Sequence, residues 1–158
     1  MQADISIEPF DRFNIRVAYK FYDVQSLYNG QMKNRPLVPR HRAFINLAYA
    51  LPFDKWMLDF TAKWLGATRM PSRYDENSTG LYILEPESYT KPFFIFNTHI
   101  TRKFRRVDVY AGVENIANFM QHHPIISAEN PFGPNFDASL IYAPTDGRTI
   151  YGGLRIKI

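Results

Sequence analysis

The sequence predicts an all-β chain: about seven strands of an antiparallel up-and-down transmembrane β-barrel segment. Three observations predict it. Apolar and polar residues alternate with period two along several extended stretches. The connections between those stretches run short, long, short, long along the chain. The face opposite the apolar one carries charges that a water-filled lumen accepts without pairing them.

The opening QADISIE reads as the end of a first strand. Residues 13–22, FNIRVAYKFY, give the clearest alternation. Phe13, Ile15, Val17, Tyr19 and Phe21 fall on one face, and Asn14, Arg16, Ala18, Lys20 and Tyr22 on the other. A helix would scatter these two sets around its circumference, whereas a strand separates them. Residues 42–50 repeat the pattern with Ala43, Ile45, Leu47 and Tyr49, and residues 56–64 with Trp56, Leu58, Phe60, Ala62 and Trp64. Residues 93–103 and 107–115 continue the series, and 148–158 form the last strand, with Leu154, Ile156 and Ile158 on the apolar face and Tyr151, Arg155 and Lys157 opposite. No helix is expected between them.

Three connections are short, at 9–12, 51–55 and 103–106, and three are long, at 23–41, 66–92 and 116–147. In a series of hairpins this sorts every short turn to one end of the sheet and every long loop to the other, as in outer-membrane barrels with periplasmic turns and extracellular loops. The long loops are expected to lack secondary structure of their own. Trp56 and Trp64 share a face eight positions apart. That is about 26 Å along a strand, or about 20 Å along the normal at a tilt of about 40°, close to an apolar band flanked by aromatic girdles. The alternative, a soluble β-sandwich binding module, would bury both rings in a core. Against it stand the charges of the other face, among them Arg16, Lys20, Asp59, Lys63, Asp108 and Arg155.

Composition narrows the function classes. The chain of 158 residues has no cysteine, which removes disulfides, thiol nucleophiles and zinc–cysteine sites. A net charge of +4 is spread along the chain and is read as solubility, with no nucleic-acid partner. No stretch is long and apolar enough for a transmembrane helix, and MQADISIEPF lacks the basic start and apolar core of a signal peptide.

VDVYAGVENIANF, NPFGPNFDAS and APTDGRTIYGGLRIKI resemble the closing segments of TonB-dependent outer-membrane receptors. The penultimate strand in that family ends in an Asn-hydrophobic-x-Asn turn, matched by Asn115, Ile116, Ala117 and Asn118. The last strand follows a Pro-x-x-Gly-Arg turn, matched by Pro144, Gly147 and Arg148, and then Tyr-x-Gly-Leu. RPLVPRHRAFINLAY is similar to an earlier loop-to-strand junction of the same barrels. The resemblance implies a 22-stranded barrel in the cell outer membrane, surrounded by outer-membrane lipid and filled by a plug domain. It implies energised import, driven by TonB, of a scarce nutrient such as a ferric siderophore, cobalamin or a glycan. On this reading residues 1–158 are the C-terminal portion of the barrel, without plug, TonB box or signal peptide. Ile158 stands where the family usually ends on an aromatic residue. A plugless porin-type or adhesion barrel shares every barrel feature and lacks only the resemblance.

No catalytic, cofactor-binding or metal site is expected. His122 and His123 are adjacent, which suits one metal ion poorly, and no third ligand lies close in sequence. His99 and Asp108 form a candidate pH-sensitive pair, read more simply as lumen residues. RKFRR, residues 102–106, is a basic cluster around an aromatic, read as a solvated turn. Were a hydrolase hidden here, Ser139 or Ser127 with His122 would be its place. Ligand contacts belong to residues 66–92 and 116–147, where Tyr74, Tyr82 and Phe132 are the candidates for stacking.

Overall fold

The computed structural model describes residues 1–28, 30–70, 74–76, 82–84, 89–122, 124–125, 128–134 and 136–157. Among the described residues eleven strands run in chain order: β1 (Gln2–Phe10), β2 (Phe13–Phe21), β3 (Gln25–Tyr28), β4 (Gln31–Asn34), β5 (His41–Ala50), β6 (Trp56–Leu65), β7 (Tyr74–Glu76), β8 (Tyr82–Leu84), β9 (Phe93–Lys103), β10 (Val107–Glu114) and β11 (Thr149–Ile156). Seven of them form one antiparallel sheet in the order β1-β2-β5-β6-β9-β10-β11, so each strand pairs with the next long strand of the chain. Ile158, expected to end the last strand, lies outside the described residues.

Short turns and long loops fall at opposite ends of the sheet, as the sequence predicts. Two of the long loops are not structureless. β3 pairs with β4 in the first, and β7 with β8 in the second, as small separate hairpins. Their strands are three or four residues long, too short for alternation to register in the sequence. The turn between β5 and β6 is closed by the Asp54 amide donating to the Leu51 carbonyl at 3.0 Å, with Phe53 at φ 64° and Asp54 at φ 52°.

A sheet of one layer has no interior. The chain exposes 11563 Å², against about 8,200 Å² for a compact protein of its mass. Among the described residues no large side chain is fully buried, and the buried hydrophobics are Ala18, Phe93, Leu140 and Ala143. This excludes the sandwich, whose two packed sheets would bury their facing sides. The barrel segment is open, with β1 and β11 as its edges. No helix among the described residues is long and apolar enough to cross a membrane.

Register is set across the sheet in rows. Phe13 faces Tyr49, which faces Leu58, which faces Ile100 and then Ala111. At the last pair of strands, Tyr110 lies opposite Gly153 and Tyr151 opposite Gly112. The two rings lie over the facing glycines: a Cβ on Gly112 would stand 2.3 Å from Tyr151, and one on Gly153 2.4 Å from Tyr110. Each glycine therefore makes room for a ring that closes the gap it leaves. Gly112→Val is expected to push Tyr151 off the sheet and lower stability by about 1–3 kcal/mol, the cost of overpacking a filled site. A fall in the urea midpoint, absent in a Gly112→Val/Tyr151→Ala double variant, checks it.

Candidate functional site

The polar sides of these strands line one concave face. Its lower half, towards the short turns, holds an open cavity of about 680 Å³ bordered by Glu8, Asn14, Asp59, His99, Asp108 and Arg155, among others. They come from six of the seven strands, brought together because Asn14, Ala48, Asp59 and His99 occupy one cross-strand row.

The polar groups on this face are bonded to one another. Asn46 donates from Nδ2 to both carboxylate oxygens of Asp59 at 3.0 and 2.9 Å, and to Thr61 Oγ1 at 3.0 Å. Asp4 takes two hydrogen bonds from Arg16, at 3.1 and 2.7 Å. Lys157 Nζ donates to Asp108 Oδ1 at 2.7 Å, and the Asp108 side chain is only 6% exposed while the lysine is half exposed. The face is thus a polar, charged wall in which Asp4 and Asp108 are ion-paired, with Arg16 and Lys157.

His99 does not pair with Asp108. It sits opposite Gly112, whereas Asp108 sits opposite Lys103, four residues along β9. The imidazole lies between Tyr151 Oη, 3.0 Å from Nδ1, and Thr101 Oγ1, 3.0 Å from Nε2. Adjacency in sequence-predicted strands was not enough to place this contact, because antiparallel register decides which residues meet.

At the loop end, the two turn motifs singled out in the sequence are hydrogen-bonded to each other. Asn115 and Asn118 adopt positive φ, 51° and 53°, which asparagine tolerates better than most residues. Asn115 exchanges side-chain bonds with the backbone of Phe119, at 2.7 and 2.9 Å. Asn118 Oδ1 accepts from the Arg148 amide at 2.8 Å, and Arg148 Nε donates to the Ile116 carbonyl at 2.9 Å. A Cβ on Gly147 would meet Asn118 Oδ1 at 2.5 Å, so the glycine of the second turn makes space for the asparagine of the first. Gln121, buried, then ties the loop by bonds to Leu140, Tyr142 and Ala143.

The other candidates are not assembled into a site. His122 is exposed, and no cluster of three metal-ligating side chains occurs among the described residues. His123 and Ser127 lie outside them. Ser139 Oγ donates to Asp137 at 2.7 Å in a local turn, with no contact to His122. Phe132 is 99% exposed and so is free to meet a ligand. Tyr74 and Tyr82 stand in the β7–β8 hairpin, on strands whose side chains are not described. Within RKFRR, Arg102 belongs to β9 rather than to the turn, and its guanidinium lies 4.8 Å from the ring centres of both Trp56 and Phe104. The period-two pattern placed it there, yet its membership of a basic cluster hid the fact that it points away from the polar face.

Lys157→Met is expected to leave the Asp108 carboxylate without its donor and to cost about 1–3 kcal/mol. Asp108→Asn in the same background should recover part of that loss, which a double-mutant cycle of denaturation midpoints measures.

No family model matches the chain, and no curated protein sequence matches it. Solved structures do. The chain superposes on the ferric enterobactin receptor (PfeA) of Pseudomonas aeruginosa, on the G324V mutant with a TM-score of 0.61 and on the R480A mutant in complex with enterobactin with 0.63, each at 16% identity. The match covers 97% of this chain and 21% of the receptor, so the chain spans about a fifth of the length of the proteins it resembles. What is shared is the fold: a run of antiparallel strands from the wall of a receptor β-barrel.

Proposed function

We propose that residues 1–158 are a C-terminal portion of the barrel of a TonB-dependent outer-membrane receptor, which imports a scarce small molecule or oligosaccharide. The observation that carries this is the contrast between the two faces of a single-layered sheet. The outer face is apolar over its central band: Ile15, Val17, Ile45, Leu47, Phe60 and Ala62 lie there. Aromatic rings border it, with Phe13, Tyr49 and Trp56 towards the short turns and Phe21, Trp64 and Phe94 towards the loops. Hydrocarbon suits this face, and headgroups suit its borders. The concave face suits water or a plug domain.

The outward edges of β1 and β11 continue, on this proposal, into further barrel strands, because unpaired backbone groups in lipid cost several kcal/mol each. The chain contributes wall, lumen lining and loops. Phe132 and the loops of residues 66–92 and 116–147 are the parts that would meet substrate. The fold match to a receptor solved with enterobactin supports a small-molecule cargo of siderophore type. The receptors it resembles are transport proteins rather than enzymes, and no catalytic step is part of the proposal.

Two measurements test it. Leu47→Arg, at the centre of the apolar band, should destabilise the membrane-inserted protein by about 2–4 kcal/mol, while Ala48→Lys, next along the strand on the concave face opposite Asp59, should be near neutral. Equal effects would remove the lipid assignment. In cells, uptake of a labelled ferric siderophore by the complete protein should disappear without TonB. Uptake that persists without TonB would favour the plugless porin-type barrel.

A further inference from the structure

The turn-side border of the apolar face contains a feature that barrel architecture alone does not require. The strand residues of that face are apolar except for His41, Thr98 and Arg102. His41 lies at the loop border against Tyr19 and Phe21. Thr98 satisfies its hydroxyl on the Asp59 carbonyl at 3.0 Å. Arg102 is the formal charge of the set, and among the described residues no carboxylate or carbonyl takes its N–H groups; its contacts are the rings of Trp56 and Phe104.

Two rings beside the guanidinium take none of the N–H donors along its edge. That edge carries the donors which grip a phosphate or carboxylate in a bidentate fork. A groove of about 310 Å³ starts at this group and runs up the outer face over Ile100, Val109 and Ala111, bordered by Trp56 and Phe104. Cross-strand register fixes the arrangement, since Arg102 lies between Trp56 on β6 and Val109 on β10. Arg105 and Arg106, exposed in the adjoining turn, add positive charge at the same border.

We infer that this is a binding site for one anionic glycerophospholipid of the turn-side leaflet. Its phosphate would be taken by the open edge of Arg102, and one acyl chain would lie in the groove over Ile100, Val109 and Ala111. Charge at one end and hydrocarbon along the rest fit a phospholipid better than a soluble anion or a peptide. The inference rests on the membrane reading above.

The test uses the complete protein in detergent, with phosphatidylglycerol and phosphatidylcholine as probes and native mass spectrometry as readout. The unsubstituted protein should retain one phosphatidylglycerol in preference to phosphatidylcholine. Arg102→Gln should lower that retention about tenfold, Ala111→Trp should lower retention of both lipids by filling the groove, and Arg102→Lys should keep part of the preference. Equal retention of phosphatidylglycerol by the unsubstituted protein and Arg102→Gln would overturn the site, as would a lipid-free dimer seated on this face. Bilayer insertion, followed separately by protection of the strands from protease, tells the two failures apart. Loss of lipid preference in a protein that inserts sinks this site alone, whereas failure to insert sinks the membrane reading and the site together.

Discussion

Backbone pairing within one layer holds this structure together, and everything else follows from it. Among the described residues no large side chain is fully buried, so no core sets the positions of the strands. Position is set instead by seven-stranded antiparallel register, with each long strand bonded to its predecessor and successor in sequence. Within the sheet the side-chain interactions are cross-strand ones: Arg16 with Asp4, Asn46 with Asp59, Lys157 with Asp108, and the reciprocal tyrosine–glycine pairs of β10 and β11. A slip of one residue anywhere would exchange the charged face for the apolar one.

That constraint explains the division of labour between the two ends of the sheet. Short turns need little more than a residue or two at positive φ, as at Arg12, Phe53 and Asp54. The long loops must be tied down by other means. The loop after β10 is anchored at both ends by one knot of side-chain to backbone bonds, in which Asn115, Asn118, Gln121 and Arg148 take the groups that a strand ladder would have satisfied. The knot fixes where β11 begins and hence the register of the last pair. Stacking of Phe93 on Phe119, with centres 4.8 Å apart, closes the same corner.

The two faces then acquire their character without further design. The concave side gathers polar residues from many strands because alternation sends every second side chain there, and the ion pairs it holds, Arg16–Asp4 and Lys157–Asp108, form between neighbouring strands. The outer side gathers aromatic rings at its borders and branched aliphatics between them. Arg102 departs from that scheme, and the rings that hold it make the departure orderly.

Much of this was legible in the sequence, for a specific reason. Period-two alternation in long strands is a local signal, so the main strands, their faces, and the sorting of turns from loops could be read from residues such as Phe13 to Phe21 and Trp56 to Trp64. The Asn115–Asn118 and Pro144–Arg148 turns also stood out, through their resemblance to a receptor family's closing segments, and the positive φ of the two asparagines and the close approach at Gly147 give that resemblance a physical reason. What the tertiary structure alone decided is who meets whom. Register gave His99 to Tyr151 and gave Asp108 to Lys157, two assignments that sequence neighbourhood had joined into one. It bonded the two turn motifs together across about thirty residues of chain, folded β3–β4 and β7–β8 into hairpins too short to show periodicity, and turned Arg102 from one member of a basic run into a cation set between two rings. Alternation is written residue by residue along one strand, whereas register is a relation between strands that no single segment contains.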